Sequence, residues 1–301
     1  MKLFLRQTTK LLSLLLLISA AFGESYALLK YPMGTQSFST GGVKSSNPTL
    51  VGDVGINPAL SIYANNILIS TNGIRHLAGI SGFSGKAILP IENHFLFGEL
   101  LFLNYGNFDL TDQYGNINGR FSFYELAVNA GYAYKLTNSL GLGSVLTSYQ
   151  RRANGDINNE TFITVGAIYR SPEDSLTIGM SLDHYPLTEL SEPSPFSMRL
   201  GFSNTLAHLP LRISIDGVIE ESGDYHFEIG GNIEITKSFL IHVGMTSYRF
   251  DYQTGVARQD VFAGASLGFS YALKKTSIHW GLKSYASMGT VTQAGISRIF
   301  W

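Results

Sequence analysis

The chain has 301 residues, 45% of them hydrophobic but only 14% charged, where soluble proteins average about 25%. With 21 Lys and Arg against 22 Asp and Glu its net charge is −1, which excludes a basic nucleic-acid surface and an acidic solvating tail, while the apolar content excludes disorder. It has no cysteine, so disulfides, thiolate metal sites, thiol nucleophiles and a lipid-bearing N-terminal cysteine are excluded as well.

Lys2, Arg6 and Lys10 precede an uncharged run over residues 11–22 that is too short for a spanning helix of about 20 residues. It predicts a signal peptide over residues 1–23, ending Ala21-Phe22-Gly23, with Ser25-Tyr26-Ala27 allowing cleavage as late as residue 27. No other apolar run approaches that length, so an exported chain is left with the periplasm, the exterior, or an outer membrane crossed by a closed barrel.

Residues 24–64 form an N-terminal segment before the strands, and from Ser45 to Asn66 the alternation is broken. Asn47-Pro48 and Asn57-Pro58-Ala59-Leu60 each predict a short helical turn, since proline is tolerated at a first helical position. This segment is expected to form a small plug or a periplasmic cap.

From residue 65 to 301 the pattern changes to period two, punctuated by turn residues, which predicts a membrane barrel. In residues 224–236, Tyr225, Phe227, Ile229, Ile233 and Ile235 share one face and His226, Glu228, Asn232 and Glu234 the other. A soluble sandwich would alternate too, but with charges nearer the soluble norm. The fold class predicted is all-β, a closed antiparallel transmembrane barrel of about 14 strands, an even number as such barrels require. Its strands are expected near 65–72, 77–89, 94–110, 119–136, 139–152, 160–170, 175–185, 196–206, 211–221, 224–235, 239–251, 260–273, 277–285 and 290–300. Short turns alternate with longer connections over 111–118, 153–159, 186–195 and 252–259, which parity places outside the cell. Aromatic girdles are expected from Phe121, Phe123, Tyr124, Tyr132, Tyr134, Tyr149, Tyr248, Phe250, Phe269 and Tyr271. The terminal Arg298-Ile299-Phe300-Trp301 is a partial match to a barrel assembly signal.

Charges predicted to face the lumen are Glu99, Glu125, Asp183, Arg199, Arg212, Asp216, Glu228, Glu234, Arg249 and Arg298. Their mixed signs favour an ion-paired interior over the single-sign ring of an ionic pore. Chemistry is weakly signalled. Gly264-Ala265-Ser266-Leu267-Gly268 satisfies a nucleophile-elbow pattern but lies in continuous strand alternation, without the strand-to-helix turn that motif needs. The seven histidines have no metal-ligand spacing. Asp183 and His184 are adjacent and would point to opposite faces unless a bulge intervenes.

Two stretches resemble a known family. Gly41, Gly42, Asp53, Asn57, Pro58 and Ala59 before the first strand, and the hairpin from Tyr105-Gly106 through 111–116 to Gly119-Arg120-Phe121, resemble the PorV/PorQ family of FadL-like outer-membrane proteins, the PorQ branch in particular. The resemblance implies a 14-stranded barrel that serves type IX secretion, binding secreted proteins or other secretion subunits without catalysis or cofactor. Partner contacts would then fall in the outer loops, at residues such as Tyr114, Asn116, Glu189 and Gln253. The alternative is a FadL-like passive channel for small hydrophobic compounds, with Asp53 a partner for lumen arginines and Gly79, Gly82 and Gly85 as kinks beside a lateral opening. Either way the other partner is outer-membrane lipid, and nucleic acid is not one.

Overall fold

The structure is a computed structural model that describes residues 26–112, 114, 116–173, 175–252 and 260–300. Fourteen antiparallel strands close on themselves. They are β1 (Ile67–Arg75), β2 (Ser81–Ile91), β3 (His94–Thr111), β4 (Ile117–Lys135), β5 (Leu140–Ala153), β6 (Asp156–Arg170), β7 (Leu176–Pro186), β8 (Ser197–Thr205), β9 (Leu211–Glu220), β10 (Tyr225–Thr236), β11 (Phe239–Thr246), β12 (Ala265–Leu273), β13 (Thr276–Ser284) and β14 (Thr290–Phe300). Each pairs with its sequence neighbours, and β1 closes on β14 with Ile67 opposite Phe300. Closure leaves no open edge, the condition for backbone to cross hydrocarbon as sheet.

Alternation decides which way each residue points. On β9 and β10, Ile215, Ile219, Phe227 and Ile229 are exposed on the outer wall while Asp216, His226 and Glu228 are buried inside. Large apolar side chains outside and polar ones inside invert a soluble protein, and only lipid solvates that outer face. Girdle aromatics stand on it: Tyr132 bonds His94 at 2.7 Å, and Phe269 stacks on Trp280 and lies tilted against Phe239. Tyr149 is not among them. It is buried in the lumen, and Tyr248 and Phe250 lie on a 3₁₀ turn, Ser247–Phe250, above the wall.

Several strand ends differ from expectation. Residues 77–79 form a 3₁₀ turn with Ala78 and Gly79 both at positive φ, so β2 begins only at Ser81. Strand β11 stops at Thr246, not 251, because the Thr246 side chain caps the 3₁₀ turn that follows, and β12 starts at Ala265, not 260. The expected loop 153–159 is instead a tight hairpin. Asn154 and Gly155 both adopt positive φ, the pairing that a two-residue hairpin favours, and Asn-Gly is its strongest local signal.

Residues 26–64 fill the lumen. Helix α1 (Ala27–Lys30), helix α2 (Thr35–Ser39) and the 3₁₀ turns Pro48–Leu50 and Pro58–Tyr63 thread through it. One apolar cluster forms where Tyr26, Leu28, Leu29, Met33 and Phe38 meet Leu101, Leu103, Tyr149 and Phe162. A second forms where Leu50, Ile56, Leu60 and Ile62 meet Leu68, Ile88, Phe97, Val145 and Ile168.

Candidate functional site

The lumen wall is shaped for the plug by missing side chains. A Cβ on Gly179 would lie 2.0 Å from the Ser45 carbonyl oxygen, on Gly230 2.5 Å from that of Thr40, and on Gly244 2.1 Å from the Gly41 nitrogen. On the other side, Gly143 and Gly166 would collide with Pro58 and Asn57. Strand glycines commonly mark close approach of another backbone, and here that backbone is the plug. Gly41 and Gly42 answer from the plug side: both have positive φ, and a Cβ on either would strike Met245 backbone or the Glu228 carboxylate.

Asn57 holds the second turn. Its Oδ1 accepts from Ala59 N at 3.0 Å, capping Pro58–Tyr63, while its amide nitrogen donates to Ser45 O, Ala167 O and Met180 O at 3.0–3.1 Å. Pro58 supplies the fixed φ and Ala59 the smallness that packing on the wall requires. Asp53 finds no arginine. Its carboxylate accepts from Ser37 N at 2.5 Å and Gln36 N at 3.4 Å in the first turn of α2, and its carbonyl oxygen accepts from Lys86 Nζ at 3.1 Å. Burial pushes the Asp53 carboxyl up to about 6, against the opposing pull of those Ser37 and Gln36 bonds and of Lys86.

The predicted lumen charges divide. Arg199 is buried among three carboxylates, 3.6 Å from Asp183 and 3.3 Å from Asp216 and in direct contact with Glu228. Asp216 is also the plug's anchor, accepting from Lys44 N, Ser45 N and Ser45 Oγ at 2.7–2.9 Å. The Lys44 ammonium adds a second cation to this group, and burial, then Arg199, pushes its pKa down. Glu99 pairs with Lys86 at 3.1 Å and accepts from Asn129, and Glu125 accepts from Leu28 N at 2.7 Å and Tyr105 Oη at 3.0 Å. Arg212 is half-buried and donates to Ser203 Oγ.

Three others lie elsewhere. Glu234 shares the inward parity but emerges exposed at the strand end. Arg249 sits on the Ser247–Phe250 turn, not on a strand. Arg298 points outward: Gln293 and Ser297 hold the inward parity on β14 through bonds to Pro32 O and His279, and Arg298 lies over the Phe300 ring on the opposite face.

Side chains not singled out as lumen residues complete the contact. Asn47 Oδ1 accepts from Thr49 N and Oγ1, which turns its amide nitrogen to Asn232 Oδ1 at 2.7 Å. That contact orients the rest of a chain across five strands: Asn232 donates to His242 Nδ1, His242 Nε2 reaches Ser270, and Ser270 reaches His279, whose Nε2 meets Ser297, all at 2.6–2.9 Å. The assignment of ring protons follows from the amide at its head. Their inward parity was legible; their joint use was not. Ser266 accepts from Gly41 N and donates to Ser39 O, so the elbow-like motif anchors the plug. Among the described residues no group of three His, Asp or Glu could hold a metal.

Asp183 and His184 do share the lumen. His184 has φ 55 and the β6–β7 register shifts there, so a bulge turns its ring against buried Phe162 at 6.4 Å.

Of the loop residues, Tyr114 and Asn116 sit at the β3–β4 tip, where Asp112 accepts from both backbone nitrogens and the Asn116 side chain, which lowers the Asp112 pKa. Glu189 is exposed on the β7–β8 connection, and Gln253 and Trp301 lie outside the described residues. Of the proposed kinks, Gly79 is in the turn before β2, while Gly82 and Gly85 are on the strand. A concavity of about 610 Å³ beside β1–β6 is lined by residues such as Ile69, Ala87, Gly98, Ala130, Tyr132 and Leu146.

No protein-family model and no curated protein sequence matches the chain. Solved structures do. The CymD monoaromatic hydrocarbon channel aligns with a TM-score of 0.60 at 12% identity, covering 92% of this chain and 99% of that one. A Pseudomonas aeruginosa FadL homologue gives 0.59 at 10% over 90% and 99%, and the Pseudomonas putida toluene transporter TodX 0.57 at 11% over 88% and 96%. At these identities the likeness is one of fold. The chain is a 14-stranded bacterial outer-membrane barrel with the FadL-like architecture, its lumen filled by its own N-terminal segment.

Proposed function

We propose that this barrel is a passive channel for small hydrophobic compounds. The observation that carries the reading is the apolar sector of the lumen. Leu101, Leu103, Tyr149 and Phe162 in one cluster and Leu68, Ile88, Phe97, Val145 and Ile168 in a second line the inward face of β1–β6, both packed against the plug. An inward face of that kind suits an apolar solute, as ligand sites are mostly apolar with a few fixed polar groups. Architectures of this kind include a monoaromatic hydrocarbon channel and a toluene transporter, which supports the same reading. The test is toluene uptake by cells with and without the gene. Uptake should slow several-fold on deletion and return with the intact gene; equal rates overturn the proposal.

A second reading, a protein-binding component of type IX secretion in the PorV/PorQ manner, draws on the filled lumen and on exposed Tyr114, Asn116 and Glu189 at the outer end. Deletion would then trap a set of secreted proteins in the periplasm and leave toluene uptake unchanged.

A further inference from the structure

The lipid-facing wall is not uniform. Register carries one row of outward residues from Arg298 on β14 through Ile69, Ala87, Gly98 and Ala130 to Leu146 on β5. Barrel strands tilt against the axis, so a row that follows their hydrogen bonds climbs the wall. Arg298 lies at the rim, opposite Thr276 and beside the turn Lys274-Lys275, where Lys275 O accepts from Ile299 N at 2.8 Å. Leu146 lies in the middle of β5.

Between those ends the row is a groove. Ala87, Gly98 and Ala130 are short, and exposed Leu89, Leu96 and Tyr132 flank them on the rim side, as Leu100 and Val128 do on the other. The concavity of about 610 Å³ lies over this stretch. Arg298 stands exposed at its lower end with its guanidinium over the Phe300 ring at 5.3 Å, and among the described residues no carboxylate pairs with it. The rim around Arg298 is basic. Lys237, Lys274 and Lys275 are exposed on the adjoining turns beside one acidic side chain, Glu234, whereas elsewhere on that rim Glu92 and Glu173 offset Lys135 and Arg170. This is the end with the short turns, which parity assigns to the periplasm, so the lipid it meets is phospholipid of the inner leaflet.

We propose that the groove holds one anionic phospholipid of that leaflet, its phosphate on Arg298 with Lys274 and Lys275 beside it, and one acyl chain lying over Ile69, Ala87, Gly98 and Ala130 toward Leu146. A cation on a lipid-facing strand is costly unless it reaches the headgroup layer, and the planar guanidinium fork matches a phosphate. The dimensions agree. Four strand spacings of about 4.8 Å, roughly 19 Å in all, separate Arg298 from Ala130 along the row, an inclined path through a leaflet whose hydrocarbon is about 15 Å deep. The lysines favour an anionic headgroup over a zwitterionic one, because a quaternary ammonium would stand among like charges.

The experiment is native mass spectrometry of the purified full chain in a non-ionic detergent, titrated with phosphatidylglycerol or with phosphatidylcholine of the same acyl chains. One phosphatidylglycerol should be retained per barrel, several-fold more tightly than phosphatidylcholine. Arg298→Gln should weaken phosphatidylglycerol about fivefold, the effect of one basic residue at an anionic lipid surface, and narrow the gap between the lipids. Ala130→Leu fills the groove and should weaken both lipids alike. Wild type supplies a readout independent of any variant's folding: phosphatidylglycerol with a diazirine at the end of an acyl chain should label the part of β5 that holds Leu146. Equal retention of the two lipids, retention unchanged in Arg298→Gln or in Ala130→Leu, labelling scattered over all strands, or a second copy of the chain bound in place of lipid, each overturns the proposal. None of these readouts involves solute transport, so the lipid site stands or falls separately from the channel.

Discussion

The two sides of the lumen hold the same plug by different means. Along β1–β6 the wall carries the larger share of apolar side chains beside Lys86, Glu99 and Glu125, and the plug answers with Leu50, Ile56, Leu60 and Ile62. Along β7–β14 the wall is glycine, serine, histidine and charge, and the plug answers with backbone and small polar residues from Thr35 to Asn47. The strands differ in step: β3–β6 run to 14–19 residues, while β7–β14 have 8–12. The apolar side depends on area removed from water, which is non-directional and tolerates small shifts. The polar side depends on geometry, and a polar group there that loses its partner becomes a cost. Directional contacts therefore weigh more on the β7–β14 side and buried apolar area more on the β1–β6 side.

The comparison breaks most completely at the glycines. In Gly244→Val the first added carbon alone would sit 2.1 Å from Gly41 N and 2.2 Å from Thr40 C, and backbone atoms on both sides cannot rotate away as a side chain could. The plug should leave the polar wall while the barrel, whose outer face and ladder are unchanged, still forms. Single-channel recording should show conductance several-fold above wild type, with heat-modifiable gel migration retained; wild-type conductance would mean that the wall does not set the plug's position.

Two further substitutions weigh the sides against each other. Arg199→Met removes one of the two cations from among Asp183, Asp216 and Glu228 and leaves Lys44, and stranding buried charge costs about 3–5 kcal/mol. Leu60→Ala on the apolar side removes a fully buried side chain, for about 2–5 kcal/mol depending on how far the site collapses. Urea unfolding in detergent measures both. Their natures differ more than their sizes: adding Glu228→Gln to Arg199→Met should restore part of the loss, whereas no charge change should restore Leu60→Ala. Failure of the second-site change to help would mean that Arg199 contributes packing alone.

Much of this was legible in the chain. Period-two alternation is enforced by the pleat, so the strand number, the inward parity of Asp216 and Glu228 and the outward parity of Ile229 follow from sequence. Arg298 was misplaced because one residue of register reverses the face, and Gly295 and Ser297, which hold the inward parity on β14, are small enough to read either way. Tyr149 was assigned to a girdle because an aromatic near a strand end fits lipid interface and lumen equally. The bulge at His184 carries no local signature, since it is the β6 partner that defines it. Least legible was the plug's footing. The glycines of β5–β8 and β10–β14 look like strand weakness until the plug backbone lies on them, and Lys86 had no visible partner because Asp53 and Glu99 lie 33 and 13 positions away along the chain.

The smallest effect expected is at Asp53, where the two sides meet: its carboxylate receives α2 and its backbone oxygen receives Lys86 from β2. Its pKa is about 6 in the folded protein against 3.8 unperturbed. A raised folded value means that between about pH 4 and 6 the folded state binds a proton the unfolded state has released, so stability falls as pH rises through that window. The contribution is fully present below about 4, is gone above about 6, and amounts to at most about 3 kcal/mol. Lys86 and, beyond it, Glu99, 3.1 Å from the Lys86 ammonium, are the charged groups on the facing wall. Urea midpoints for wild type should therefore decline from pH 4 to 6 and level off toward 8. Asp53→Asn should flatten that decline while keeping one oxygen to accept from α2. If wild type and variant trace parallel curves, the pH dependence originates elsewhere and Asp53 is a helix cap whose charge does not change.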